Sequence, residues 1–593
     1  MSTYEDRLRA LREELARRKL DGFVVPLTDE HMSEYVGAYA QRLAWLTGFQ
    51  GSAGSAVVLP AEAAIFVDGR YTLQVREQVD KAHWSYQSVP QTSIAQWLGE
   101  HAADGARIGY DPWLHTKGWV KAARAALAEK GAELVAVDTN PVDAIWPDRP
   151  LPSDARLVVH PDDVAGRTSA AKRQEIADWL VARKADAVVL SALDSIAWTF
   201  NVRGKDVDRT PVALAYAMVD ADGTADLFVA PGKLADDVAR HLGNGVRLHP
   251  RDAFAGHLAG LKGKTVAVDP ERAVAAIFEA LDNAGARVIE ARDPAVLPKA
   301  IKNDAEIAGH KAAQARDGAA LSRFLHWMSV EAPKGGLTEM SAARKLHEFR
   351  EATGVLRDLS FDTISGAGPN AAIPHYRVTA ESSRPIEPNS IYLVDSGGQY
   401  VDGTTDVTRT IVVGTPTAEM KDRFTRVLRG HIALARALFP TGTRGGQLDV
   451  LARQYLWQAG LDYAHGTGHG VGAYLSVHEG PQRIATFSGG DEPLAPGMIL
   501  SNEPGYYKSG EYGIRIENLI LVTPREIAGA ERDMLGFETL TFAPIDRALV
   551  DVAQLTADER AWLDAYHADV ARIVGPQLDG AAKAWLLEVT KPL

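Results

Sequence analysis

The sequence predicts an α/β chain: two related α/β domains in the N-terminal half, then an α+β domain ending in a helical C-terminal extension. Three observations predict this. The stretch "RRKLDGFVV" (17–25), followed by "LAWLTGFQG" (43–51), resembles "ARKADAVVL" (182–190), followed by "IAWTFNVRG" (196–204). From about residue 301 the pattern changes to long amphipathic helices around a β-branched, alternating segment. The C-terminal stretch carries Trp562, Tyr566 and Trp585 on helical spacing.

Within the repeats, Leu8, Leu11 and Leu15 mark the first helix, and Ile176, Leu180 and Val181 the second. Strands follow in both, "SAVVLPAEAAIFVDG" in one and "ALAYAMVDADGTADLFVAP" in the other, where "DADG" reads as a hairpin turn. The joins are expected in the Pro-rich "IWPDRPLPSD" (145–154) and near "PAVLPKAIKND" (294–304), which gives domains at 1–150 and 151–302. Beyond them, "AEIAGHKAAQARDGAALSRFLHWM" and "AEMKDRFTRVLRGHIALARALF" predict helices. In the second of these Phe424, Val427, Leu428, Ile432, Ala435 and Leu438 make one face, and Thr417 is the N-cap. Between the helices "SIYLVDSGGQYVDGTTDVTRTIVVG" predicts an antiparallel hairpin or meander. The Trp-bearing C-terminal helices read as a cover or a dimer surface.

The 593 residues are enough for roughly three or four domains. A net charge of -13 argues against nucleic acid as a partner. The absence of cysteine excludes disulfides, thiolate metal sites and a cysteine nucleophile. The start is charged and acid-containing, unlike a signal or transit peptide, and no run of about 18 apolar residues appears. A cytoplasmic protein that does not enter a membrane is the expectation.

"HGTGHGVG" (465–472) places two histidines four apart among glycines too dense for a helix, so it is a loop or strand end that something approaches closely. Acids stand right after apolar runs: Asp395 in "IYLVDSG", Glu503 in "ILSNEPG", Glu517 in "GIRIEN", with Asp406 eleven residues after Asp395 in "TTDVTRT". Acids so embedded are costly unless paired or bound to a cation. Pairing has candidates: Arg409 for one acid of the hairpin, and Arg515, two residues before Glu517, for the other strand. Yet His375, His465, His469 and His478 also sit in glycine- or proline-bracketed loops. One imidazole with four carboxylates is an oxygen-rich set suited to two divalent ions such as Mn²⁺, Co²⁺ or Zn²⁺. "GHGVGA" and "GAGPNA" satisfy only a loose nucleotide-loop pattern without the strand-to-helix context, and no G-x-S-x-G elbow is present.

In order and in motif, Asp395, Asp406, His469, Glu503 and Glu517 resemble the five-ligand dimetal site of the "pita-bread" metallopeptidases, which include methionine aminopeptidase, prolidase and aminopeptidase P. "HGTGHGVG", "HEGP", "NEPGYY" and "GIRIEN" look most like aminopeptidase P. "SEYVGAYAQRLAWLTGFQGSAGSA" and "LDSIAWTFNVRGKDV" look like the two creatinase-like domains of its long, three-domain form, and "GFETLTFAPID" like its C-terminal extension. The resemblance thus implies a pita-bread catalytic domain at 303–530 and an extension at 531–593. It implies that Asp395 chelates one metal, Asp406 and Glu517 bridge both, and His469 and Glu503 complete the second. A hydroxide between the ions, most expectedly Mn²⁺ with Co²⁺ or Zn²⁺ as alternatives, would attack the N-terminal Xaa-Pro bond of a peptide, with Glu503 helping to move the proton. His465 and His478 would steady the carbonyl and oxyanion, His375 would contact substrate near the proline, and Arg515 would orient a bridging carboxylate. A homodimer is also implied. The nearest alternative is a prolidase, restricted to dipeptides. A non-catalytic peptide-binding module of the same fold is the alternative from another class, and such modules usually have lost ligands.

Overall fold

The computed structural model describes residues 3–486 and 490–593. Met1 and Ser2 of the charged N-terminal stretch lie outside the described residues. The chain forms two compact units. One holds the chain up to Asp162 with Arg167–Val296; the other holds Asp163–Gly166 with Leu297–Leu593.

The first unit contains the same sheet twice. The strands Ser85–Ser88, Ala63–Val67, Ser55–Val58, Gly22–Pro26, Arg107–Tyr110 and Glu133–Ala136 lie side by side in that order. Their pairings run parallel, antiparallel, antiparallel, parallel, parallel. The strands Val246–His249, Ala225–Val229, Ala215–Asp220, Ala187–Leu190, Thr265–Val268 and Arg287–Glu290 repeat both the order and the sequence of directions. The likeness reaches single residues. Lys19 and Lys184, matched in the two quoted stretches, both take the left-handed conformation that ends the first helix of each repeat, at φ 56° and 54°. Asp21 and Asp186, two residues on, each accept the N–H that opens the neighbouring parallel strand, from Arg107 and Thr265, at 2.8 and 2.7 Å. The expected duplication is therefore present.

Leu8, Leu11 and Leu15 are buried on Tyr4–Arg17, and Ile176 and Leu180 on Ser169–Arg183. Val181 is not: it is 62% exposed. Next to Leu180 in sequence, it sits about 100° around the helix, beyond the stripe that the sheet covers. The "DADG" turn joins Ala215–Asp220 to Ala225–Val229 as a hairpin.

The second unit is α+β. Ile364–Ala367, Ser390–Ser396 and Val407–Val413 form an antiparallel three-stranded sheet. A second antiparallel sheet orders Leu438–Pro440, Met534–Thr539, Asn518–Arg525, Ile499–Asn502, Gly468–Gly470 and Glu479–Ile484. Helix Asp304–Glu331 is opened by a capping box of Asn303 and Glu306, and Ala418–Ala435 by Thr417. Phe424, Val427, Leu428 and Ile432 are buried on Ala418–Ala435, packed with Ile514 and Ile516. Leu438 is the exception to the expected face. The helix stops at Ala435, and Leu438, 56% exposed, belongs to the edge strand that pairs with Met534–Thr539. At the C-terminus Trp562 and Tyr566 stack on helix Ala557–Val574, centroids 5.4 Å apart, whereas Trp585 lies on a separate helix, Gly580–Val589. Pro576 interrupts the run between them.

Candidate metal centre

Each candidate ligand sits where a strand ends or breaks. Asp395 is the penultimate residue of Ser390–Ser396, and Asp406 immediately precedes Val407–Val413, the strand paired with it. His469 is the middle residue of Gly468–Gly470, and Glu503 follows Ile499–Asn502. Glu517 lies in the two-residue step between Tyr512–Arg515 and Asn518–Arg525. The glycines beside His469 have a geometric reason. A Cβ on Gly468 would stand 2.0 Å from the Ser501 carbonyl oxygen, and one on Gly470 2.3 Å from that of Glu479. Neighbouring strands thus close on His469 from both sides, and the ladder shifts register at His469 and Gly470.

Asp406, His469 and Glu517 are buried and each offers a ligand atom, all within 4.8 Å of one another. His469 Nε2 is 3.5 Å from Asp406 Oδ2 and 3.6 Å from Glu503 Oε1. His469 Nδ1 lies 2.9 Å from the Gly470 carbonyl. A carbonyl only accepts, so Nδ1 carries a proton, and Nε2 points toward the carboxylates. Asp395 joins through Arg515, whose guanidinium donates to Asp395 Oδ2 at 2.6 Å. Asp395 Oδ1 and Glu517 Oε1 are buried without a hydrogen-bond donor.

Four carboxylates this close repel. The Asp406 carboxyl is held well above the ordinary range, first by burial and then by the charges of Asp395 and Glu503. Glu517 is raised likewise, first by burial and then by Asp406, Asp395 and Glu503. Two orphaned carboxylate oxygens, an imidazole nitrogen aimed at the acids and uncompensated negative charge are what hard divalent cations satisfy, so the residues present fit such ions.

The histidines form a second tier. His478 stands edge-on to His469 with ring centroids 4.4 Å apart, and His375 lies 6.4 Å from His478, nearly parallel to it. His465 Nδ1 lies 2.8 Å from the Gly466 carbonyl, which leaves Nε2 to accept the Tyr507 hydroxyl at 2.8 Å. Arg515 donates to that hydroxyl at 2.7 Å. A chain of hydrogen bonds therefore runs from Arg515 through Tyr507 to His465. Burial, above all, pushes the Tyr507 hydroxyl up to about 12, so it keeps its proton.

Two expected pairings are corrected. Arg515 pairs directly with Asp395 and not with Glu517, which it reaches through Thr408. The Thr408 hydroxyl accepts from Arg515 at 3.1 Å and donates to Glu517 Oε2 at 2.8 Å. The strand stops at Arg515, so a spacing of two no longer places Glu517 on its face. Arg409 pairs with neither Asp395 nor Asp406; it donates to the Glu517 and Ala543 carbonyls, to Asn518 and to Tyr566. Sequence reasoning passed over Thr408 and Tyr507. Thr408 stands directly opposite Asp395 across the ladder, a pairing set by register and not by local pattern.

Behind His478, Glu479 is buried between Lys299, at 2.8 Å, and Lys302. Glu479→Gln leaves two buried ammonium groups facing a neutral amide. The expected loss is about 3–5 kcal/mol in denaturant unfolding. A loss below about 1 kcal/mol would mean that water reaches the lysines.

A relative from Arabidopsis thaliana, "Aminopeptidase P2", is 42% identical over 615 aligned residues, covering 97% of this chain and 86% of its own. The model of metallopeptidase family M24 matches residues 308–524. The chain belongs to metallopeptidase family M24. Two matches to the creatinase/prolidase N-terminal domain, over 7–145 and 148–306, fall on the two repeated sheets, and the C-terminal region of peptidase M24 matches 533–593. A "Probable Xaa-Pro aminopeptidase P" from Aspergillus niger is 40% identical, covering 99% of this chain and 98% of its own. The crystal structure of an X-prolyl aminopeptidase from Caenorhabditis elegans, described as a cytosolic enzyme with a di-nuclear active site, superposes with a TM-score of 0.95 at 35% identity over 100% of both chains. Within this M24 chain, no helix among the described residues is long and apolar enough to cross a membrane.

Proposed function

We propose that this chain is a metal-dependent aminopeptidase that hydrolyses the N-terminal Xaa-Pro bond of peptides. The observation that carries it is the buried convergence of Asp406, His469 and Glu517, with Glu503 beside His469 and Asp395 tied in by Arg515. The full-length relatives named for the same specificity support it. Two divalent ions are the expected cofactor, Mn²⁺ first and Co²⁺ or Zn²⁺ after it. Asp395, Asp406, His469, Glu503 and Glu517 would hold them. Such ions supply Lewis acidity, which lowers the pKa of water toward neutrality.

The chain's own groups do the rest. Glu503, the least confined of the acids at 17% side-chain exposure, accepts a proton and returns it to the leaving nitrogen. His465, fixed by Tyr507, would stand on the carbonyl side of the substrate; His478 would steady the developing oxyanion; His375 would meet the substrate near its proline. Arg515 holds Asp395 and, through Thr408, Glu517. The Xaa-Pro bond lacks an N–H and its ring fixes φ, so a site that recognises the ring and the free amine accepts what backbone-reading peptidases do not. The reading extends to a catalytic domain at 303–530 with its extension at 531–593, behind N-terminal domains at 1–150 and 151–302, and to a cytoplasmic homodimer.

The test is release of the first residue from an Xaa-Pro-Yaa peptide by protein stripped of metal and resupplied with Mn²⁺. Cleavage is expected only with metal, with Xaa-Ala-Yaa untouched. Cleavage of the dipeptide Xaa-Pro alone would replace this reading with a prolidase. No cleavage with any divalent ion would sink the enzyme reading.

A further inference from the structure

Helix Glu339–Glu351 begins at a fully buried carboxylate whose partners all lie around the loop that carries His375. Glu339 Oε1 accepts the Ala367 N–H at 2.7 Å. Its Oε2 accepts the Asn370 side-chain amide, the Tyr376 hydroxyl and the Arg384 N–H, each at 2.9 Å. These four donors pin residues 367–384 at both ends and in the middle, and they fill the roughly four acceptor positions a carboxylate has. The Glu339 backbone adds to the hold: its N–H donates to the Arg384 carbonyl at 3.0 Å and its carbonyl accepts the Ser365 hydroxyl at 2.7 Å. Tyr376 is the immediate neighbour of His375. One side of the loop therefore anchors to Glu339. The other brings His375 to His478, which in turn rests on His469.

A charge-assisted hydrogen bond is about twice as strong as a neutral one, and misplacing a substrate contact by an ångström is costly. We propose that Glu339 is a positioning residue: through Tyr376 it fixes His375 where the proline end of the peptide binds. This rests on the aminopeptidase reading above.

The experiment uses the full-length, Mn²⁺-loaded protein. Glu339→Gln, Tyr376→Phe, His375→Ala and the double variant Glu339→Gln/His375→Ala are compared for kcat, KM, bound metal per chain and melting temperature. Glu339→Gln keeps the size of the side chain but turns an NH₂ donor toward other donors. It is expected to raise KM about tenfold, and Tyr376→Phe about threefold, with bound metal unchanged. In the His375→Ala background, Glu339→Gln is expected to add nothing further to KM, because the group it positions is gone. An unchanged KM in a folded variant, or additive effects in the double variant, overturns the proposal. Should Glu339→Gln not fold, Tyr376→Phe combined with His375→Ala reads the same coupling with a smaller lesion. A wild-type protein that cleaves nothing overturns the peptidase reading itself, an outcome separate from either of these.

Discussion

His469→Ala is expected to lower kcat/KM on an Xaa-Pro-Yaa peptide by on the order of a thousandfold or more, with the chain still folded. The imidazole is the one neutral donor in a set of carboxylates, and its Nε2 is within 3.6 Å of both Asp406 and Glu503. Its loss leaves an all-oxygen site with fewer ligands, so bound metal should fall below two per chain. The fold should survive because His469 hangs between two strands whose backbones already meet through Gly468 and Gly470. His465→Ala is the instructive partner. His465 is tied to Tyr507 and not to the carboxylates, so metal content should stay intact while kcat falls about a hundredfold. Metal analysis on purified protein, read beside the kinetics, separates the two. A His469→Ala protein that keeps two ions and most of its activity would remove His469 from the ligand set.

The difference between these histidines shows what the sequence could and could not reveal. Asp395, Glu503 and Glu517 were legible as candidates because each reads as an acid after an apolar run, as in "IYLVD", where burying an acid demands compensation; Asp406 was legible from its place in the same hairpin as Asp395, and His469 from its flanking glycines. The duplication was legible to the single residue, since Lys19 and Lys184 occupy the same left-handed turn. Periodicity misled at Val181 and Leu438, where it was carried beyond the arc or the length of helix that packing covers. It misled at Arg515 too, because a spacing of two fixes a face only while the strand continues. The partners that tune the site lay further out of reach. Thr408 meets Glu517, Glu339 meets Tyr376, and Lys302 meets Glu479 across 109, 37 and 177 residues. No local pattern encodes a hydrogen bond closed by tertiary packing.

Stripping the metal is expected to lower the melting temperature, and to lower it more at pH 8 than at pH 5. Asp406 and Glu517 have folded-state pKa values raised well above those of the unfolded chain, by burial first and then by neighbouring carboxylates. For an acid shifted upward, the folded state binds more protons. Stability is therefore greatest below the unfolded pKa, near 4, and declines as pH rises through the folded value. The metal-free fold should weaken across that window. Divalent cations replace the protons and cancel the repulsion, so the loaded protein should be nearly flat there. With ions at about a thousand times their Kd, binding alone adds about 4 kcal/mol. Melting of stripped and Mn²⁺-loaded protein from pH 5 to pH 8 measures the widening gap. Asp406→Asn sharpens the test: it removes one charge from the cluster, so it should stabilise the stripped protein at pH 8 while destroying the loaded enzyme's activity. Ligands that weaken the empty fold and are indispensable to the filled one are the mark of a site shaped by its cation. A stripped protein indifferent to pH, with Asp406→Asn no more stable than wild type, would mean that these carboxylates ionise comfortably without a cation, and their crowding would no longer argue for one.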